Sequence, residues 1–272
     1  MKNIYSNIIK FNSKNLNIVI KTLKKNGIIS LPTETVYGLA GNAYSNISIK
    51  KIFKIKRRLK KNPLIIHYYS LKEAKKDVVL NQNFYKIYKR FSPGPITYIL
   101  KKKNNSRIKS LASANLNTIG IRFPENIITK KILKKLNFPL AMPSANKSSG
   151  VSPVKPSDVS EEFNNKIKVI DGGISKIGIE STVINLVGVA SILRPGIITP
   201  KQLEKVLKIK IKIASKHKTI RSPGSLKKHY SPGLPIYLNR SRCPDKDAFI
   251  TFGAKYPVTR NSFNLSRKSN LN

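Results

Sequence analysis

A single cysteine, Cys243, excludes an internal disulfide and any zinc site built from cysteine pairs. There are only three histidines, His67, His217 and His229, and they lie too far apart for metal-ligand spacing. No protein metal site is therefore expected. No apolar run approaches the roughly 20 residues that a membrane span requires. Residues 1–20 mix lysine and asparagine into their apolar positions, unlike the unbroken core of a signal peptide. A cytoplasmic location with no membrane partner is the expectation. A Walker-type glycine loop ending in Gly-Lys-Ser/Thr is missing, and so is a dinucleotide fingerprint after a strand. Any nucleotide site must be built by another route.

Acidic side chains are also scarce: 12 stand against 53 lysines and arginines, a net charge of +41 over 272 residues. Such a field attracts nucleic acid, phosphorylated ligands and anionic surfaces. Lysine far outnumbers arginine, and isoleucine and asparagine are abundant, a pattern that an AT-rich coding sequence also produces. Charge alone thus selects no function, although it is compatible with tRNA or double-stranded RNA contact. With 40% hydrophobic residues the chain can bury a core, so disorder is not the expected state. Its length suits one large domain with a short appendage.

Leu16, Val19, Ile20 and Leu23 recur at helical spacing, and Gly27 sits where a C-terminal cap would. Further helices are marked by Ile49, Ile52 and Phe53, and by Ile128, Ile132, Leu133 and Leu136. Thr199, Pro200 and Gln202 form a helix start with a capping box. Short apolar runs at residues 28–31, 64–66, 98–100, 119–122, 169–171, 182–186 and 192–194, and one near Leu140, read as strands. Helices and strands mix without strict alternation. That predicts an α/β fold with a mixed, partly antiparallel sheet flanked by helices. Residues 211–235, with Ser222-Pro223-Gly224 and Ser231-Pro232-Gly233, read as a linker. Residues 236–272 carry one strand-like run at 248–252 and read as a short C-terminal remnant, leaving 1–210 as the main domain.

Six polar clusters could carry chemistry. Residues 32–39 read Pro-Thr-Glu-Thr-Val-Tyr-Gly-Leu and place hydroxyls and a carboxylate just after a buried strand, where ligands commonly bind. A helix cap at Thr33 or Thr35 is the structural alternative. Residues 56–63, Lys-Arg-Arg-Leu-Lys-Lys-Asn-Pro, could grip a triphosphate or could be a solvated charge run. Arg122 ends an apolar strand; it could bind a carboxylate bidentately or form a structural ion pair. The remaining clusters are 142–153, with its small polar residues, 171–183 and 193–196. Singly, each is a plausible loop.

Together and in this order the clusters resemble the YrdC-like family of threonylcarbamoyl-AMP synthases, from about residue 28 to 207. The 32–39 segment is the strongest signature, and Phe-Ser-Pro-Gly-Pro-Ile-Thr at 91–97 resembles another family block. The resemblance implies a twisted open α/β sheet with a basic concave face. It implies condensation of L-threonine, bicarbonate and ATP into threonylcarbamoyl-adenylate and pyrophosphate. A separate tRNA threonylcarbamoyl transferase complex would use the product on tRNAs that read ANN codons. By resemblance, Thr35, His67, Arg122, Thr182 and the backbone of Met142 would bind threonine. Lys56, Arg58, Asn62, Thr118, Ser144, Ser152, Arg194 and Tyr230 would bind ATP. Lys56 and Arg58 would act as the catalytic cations, facing phosphates bridged by Mg²⁺. The family usually has Lys-Gly-Arg-Pro where this chain has Lys56-Arg57-Arg58-Leu59. Residues 222–232 resemble the linker that crosses the active site in the longer, two-domain subfamily.

Two other readings compete. A non-catalytic RNA-binding module of the same fold would explain the charge, but it would have no need of Thr35, Arg122 and Thr182 together. Carbamoyl-transferring relatives usually carry acylphosphatase and zinc-finger parts, which one cysteine cannot supply.

Overall fold

The computed structural model describes residues 5–214 and 234–270, and the chain divides into two compact units between residues 232 and 233. The first unit opens with β1 (Ile8–Lys10), α1 (Ser13–Lys24), β2 (Ile29–Leu31), β3 (Gly38–Asn42), α2 (Asn46–Ile55) and β4 (Ile65–His67). It continues through α3 (Leu71–Ala74), α4 (Gln82–Phe91), β5 (Ile96–Lys101), β6 (Thr118–Arg122), α5 (Ile127–Lys134) and β7 (Leu140–Ala141). It ends with α6 (Pro156–Glu162), β8 (Val169–Asp171), β9 (Thr182–Asn185), β10 (Ser191–Arg194), α7 (Pro200–Leu207) and β11 (Lys212–Ile213).

These strands form one sheet in the order β1-β8-β2-β3-β7-β4-β6-β5-β9-β10-β11. Pairing is mixed: β4 runs parallel to β6, and β5 parallel to β9, while β2, β3, β7 and β4 alternate direction. Successive strand residues face opposite sides, and the core divides accordingly. Leu39 joins one apolar cluster with Ile49 and Ile52 of α2, Phe84 and Ile87 of α4, and Leu203 of α7. Its neighbour Ala40 joins the other, with Val19 and Leu23 of α1 and Ile132 and Leu133 of α5. Helices therefore cover both faces. Each fully buried Ile or Leu contributes about 1.5–3 kcal/mol to that arrangement.

Helix signals held, with one shift. Thr199 accepts from the Gln202 N–H at 3.3 Å and Gln202 reaches back, as the capping box requires. At the end of α1 the left-handed residue is Asn26 (φ 58°), and the Gly27 N–H bonds back to the Thr22 carbonyl at 2.8 Å. The cap thus sits one residue before the expected glycine, because asparagine also tolerates this conformation.

The same motif closes α2 at a functional place. Arg57 takes φ 48°, and the Arg58 N–H bonds to the Phe53 carbonyl at 2.9 Å. Arginine here keeps a backbone that suits the family's glycine. Arg57→Gly is expected to raise stability by about 0.5 kcal/mol, the left-handed penalty relieved minus glycine's greater freedom when unfolded. Urea denaturation checks this. Lower stability would mean the exposed side chain contributes more than its backbone costs.

β11 pairs in parallel with β10, so the sheet extends into the first residues expected as linker. Most of the 211–235 segment, with Tyr230, lies outside the described residues. The second unit contains β12 (Phe249–Thr251) and β13 (Ser262–Asn264), paired in parallel with Ile250 opposite Phe263. Among the described residues, no helix is long and apolar enough to cross a membrane.

Candidate active site

The C-terminal ends of the adjacent strands β4 and β6 set His67 beside Arg122 in register. Segment 32–37 crosses close to them after β2. It is a hydroxyl-closed turn and not a helix start: Thr33 Oγ1 accepts from the N–H groups of Thr35 and Val36, each at 3.2 Å, and strand β3 follows. The helix-cap alternative is thereby overturned. Gly38 opens β3 where a Cβ would fall 2.4 Å from the Met142 side chain, so any larger residue would displace Met142.

Arg122 is 4% exposed. Its NH2 nitrogen donates to Glu34 Oε1 at 2.6 Å and Thr35 Oγ1 at 2.8 Å. Its Nε has no hydrogen-bond partner among the described residues, and neither has His67 Nδ1. Burial pushes the Glu34 carboxyl up. The charge and hydrogen bond of Arg122, with backbone N–H donors including that of Glu125, outweigh burial and hold it below its ordinary value. Burial, then the charge of Arg122, pushes the His67 imidazolium well below its ordinary range, so His67 is neutral at pH 7.

The cation run at 56–61 divides. Lys60 and Lys61 are exposed, as a solvated run would be, while Lys56 is buried. The Lys56 Nζ donates to the carbonyls of Ser144, at 2.5 Å, and Asn146. Burial, helped by the nearby Arg58 charge, lowers its pKa to about 7. Arg58 donates to the Asn62 carbonyl at 2.9 Å, Asn62 Oδ1 at 2.7 Å and the Pro63 carbonyl at 2.6 Å. Burial lowers its pKa to about 10, with Glu180 opposing the shift.

A third wall comes from the chain around β9 and β10. Arg194 donates through Nε to the Ser181 carbonyl and through NH2 to Ser181 Oγ, both at 3.0 Å, and it pairs with Glu180 through NH1. Ser152 Oγ donates to Glu180 Oε1 at 2.9 Å. These groups surround one open cleft. Its polar lining is Thr33, Arg58, His67, Arg122, Ser144, Glu180, Ser181 and Arg194; its apolar lining includes Val36, Ile65, Met142 and Pro143.

Of the residues singled out in the sequence, Arg58, His67, Arg122, Met142, Ser144 and Arg194 line this cleft. Thr35, Asn62 and Ser152 stand one hydrogen bond behind it. Lys56 holds the loop that carries Ser144. The Thr182 hydroxyl is engaged by the backbone of Ile198, donating at 3.0 Å and accepting at 3.1 Å. Thr118 starts β6, roughly 13 Å along the strand from Arg122. Glu180 and Ser181 carry contacts for which the sequence reading named no individual role, and Thr33 and Glu34 were read there only as part of a polar cluster. With only 12 acids in the chain, a carboxylate inside a motif was itself a signal, because a buried arginine requires a counter-charge. For Arg122 the structural ion pair is observed, and the side chain also lines the cleft.

A family model described as telomere recombination (Sua5_yciO_yrdC) matches residues 21–196. A second, described as the threonylcarbamoyl-AMP synthase C-terminal domain (Sua5_C), matches residues 198–268. The threonylcarbamoyl-AMP synthase of Pyrococcus abyssi is 36% identical over 223 residues, covering 79% of this chain and 64% of that protein. The threonylcarbamoyl-AMP synthase of Bacillus subtilis is 34% identical over 221 residues, covering 79% and 63%. The chain thus spans less than two thirds of the length of these relatives. The crystal structure of P. abyssi Sua5 complexed with L-threonine matches with a TM-score of 0.79 at 32% identity, covering 90% of this chain and 71% of that one. E. coli YciO, at 21% identity and a TM-score of 0.64, shares the fold.

Proposed function

This chain belongs to the Sua5/YciO/YrdC family, and from that premise we propose that it is a nucleotidyltransferase that condenses L-threonine, bicarbonate and ATP into threonylcarbamoyl-AMP and pyrophosphate. One observation carries the reading: Arg58, Arg122 and Arg194, from three separate segments, converge on one cleft beside a neutral histidine.

Arg122 would clamp the threonine carboxylate through the edge that Glu34 leaves open, with Thr35, Thr182 and the Met142 backbone completing the amino-acid end. Neutral His67 would accept a hydrogen bond from the substrate at Nδ1. Arg58 and Arg194 would face the phosphates, with Lys56 behind them. Asn62, Thr118, Ser144, Ser152 and Tyr230 would complete the nucleotide end.

The nucleophile is a carbamate oxygen of N-carboxy-threonine, formed from the amine and carbon dioxide. It attacks the α-phosphorus, a new P–O bond forms, and pyrophosphate leaves. Such a displacement needs alignment and charge neutralisation more than a nucleophilic side chain. Mg²⁺ bound to ATP would neutralise phosphate charge, and the cleft offers one carboxylate among its cations, a donor set that fits a phosphate-bound magnesium. The adenylate would pass to the tRNA threonylcarbamoyl transferase complex in the cytoplasm, with the basic surface available to tRNA.

The test is pyrophosphate release by the purified chain, with mass-spectrometric detection of the adenylate. Release that requires both threonine and bicarbonate is expected; release indifferent to threonine sinks the proposal. Salt-sensitive RNA binding without adenylate would turn the reading to an RNA-binding module.

A further inference from the structure

Resting on the nucleotide reading above, we propose that Glu180 is the protein ligand of the Mg²⁺ that accompanies ATP.

Among the described residues lining the cleft, Glu180 is the carboxylate; Arg194 pairs with it and Arg58 lies near it, while Arg122 stands at the His67 end with Glu34. Its two oxygens hold Ser152 Oγ, at 2.9 Å, and Arg194, both of which the nucleotide reading assigns to ATP. A carboxylate so close to ionised phosphates repels them unless a cation lies between. At the nucleotide end the two positive charges of Arg58 and Arg194, less the negative charge of Glu180, leave one net positive charge. That is too few to balance a fully ionised triphosphate, and a divalent ion removes two of the ligand's charges. Magnesium commonly takes one or two carboxylates, phosphate oxygens and water.

The backbone at Glu180 packs closely on Gly196, just after β10: a Cβ on Gly196 would fall 2.5 Å from the Thr182 nitrogen and 2.9 Å from the Glu180 carbonyl oxygen. Among the described residues no cluster of His, Cys, Asp and Glu could hold a metal alone. The ion would therefore bind with the nucleotide and not before it. On binding, Ser152 and Arg194 exchange Glu180 for phosphate, and Glu180 takes the metal.

The experiment is calorimetric titration of the full chain with ATP, in Mg²⁺ or in EDTA, without threonine or bicarbonate so that nothing turns over. The wild-type chain is expected to bind magnesium-ATP at least about tenfold more tightly than metal-free ATP, and Mg²⁺ alone weakly. Glu180→Gln is expected to lose about 10–100-fold in magnesium-ATP affinity and to bind metal-free ATP as well as the wild type or better. Glu180→Asp keeps the charge and is expected to keep the preference for the metal complex. Thermal melts verify that each variant is folded. If Glu180→Gln is not, loss of the metal preference in Glu180→Asp overturns the proposal. So does an equal loss for both forms of ATP in Glu180→Gln, which would make Glu180 a positioning residue for Arg194, and so does an unchanged magnesium-ATP affinity. A wild-type chain that binds neither form refutes the nucleotide reading itself, a distinguishable failure that takes this assignment with it.

Discussion

Replacing Arg122 by alanine is expected to lower threonine affinity about a hundredfold while leaving magnesium-ATP affinity within about threefold. The asymmetry follows from where the guanidinium stands. It is at the His67 end of the cleft, beside Glu34 and Thr35, while Arg58, Ser152 and Arg194 gather around Glu180. A charge-assisted pair to a carboxylate is lost in one ligand and nothing comparable in the other. The substitution also strands Glu34, whose carboxylate is 5% exposed, and leaving a buried charge unpaired costs about 3–5 kcal/mol. The pH dependence separates the two effects. In the wild type, Glu34 titrates below its ordinary 4.5, so its contribution is present above that value and is lost as pH falls through the folded pKa. Without Arg122, burial dominates and the folded pKa rises above 4.5, so the variant loses stability as pH rises. Adding Glu34→Gln should restore the melting temperature at neutral pH and leave threonine binding weak. Calorimetry and thermal melts read both. Equal loss of the two ligands would make Arg122 a folding residue only.

That pair also shows where sequence reading stops. Glu34 and Arg122 were both visible, one in a polar cluster after a strand and one ending an apolar run, yet 88 positions separate them. Their meeting depends on the strand order β2-β3-β7-β4-β6, which periodicity does not specify. The strands that were legible are apolar runs covered on both faces, such as Val169–Asp171 and Ile29–Leu31. β3 was not, because Gly38 and Gly41 argue against a strand locally and are tolerated there for the approach of Met142 and the side chains of α2. β1 is a three-residue edge that exists through pairing with β8 and through the buried Asn7, whose side chain donates to the Ile167 carbonyl at 2.6 Å. α4 is rich in aromatics, which are modest helix formers, and is held by burial of Phe84 and Ile87. In the site, the roles of the six residues lining the cleft came from motif resemblance. Arg122 had stood out as the end of an apolar run and Arg58 as part of a cation cluster, but hydrophobic pattern reports burial and not convergence, so it could not bring them together.

Binding of magnesium-ATP is expected to take up close to one proton per site near about pH 8.5 and almost none near about pH 6, if Lys56 serves the phosphates. With a pKa of about 7, Lys56 is mostly neutral at the higher pH. A neutral amine has two N–H groups, and two carbonyls, those of Ser144 and Asn146, receive them. The third N–H exists only on protonation. Phosphate charge near that nitrogen favours the ammonium, drives its pKa back up and draws a proton from solvent. Below about pH 7 the group is already charged and nothing is taken up. The stability of the empty protein should show the same group with the opposite emphasis. The folded pKa lies below the unfolded value of 10.5, so the unfolded chain holds more protons in that window. The Lys56 contribution to stability therefore rises with pH from about 7 to 10.5, and charging it at lower pH opposes folding. Calorimetry in buffers of differing ionisation enthalpy counts the protons. Lys56→Met should abolish the uptake, remove the stability slope and weaken magnesium-ATP binding by about 30-fold. A wild-type chain that binds ATP at the higher pH without gaining a proton would place the phosphates away from Lys56, and leave this lysine a clamp for the 144–146 loop with no part in the chemistry.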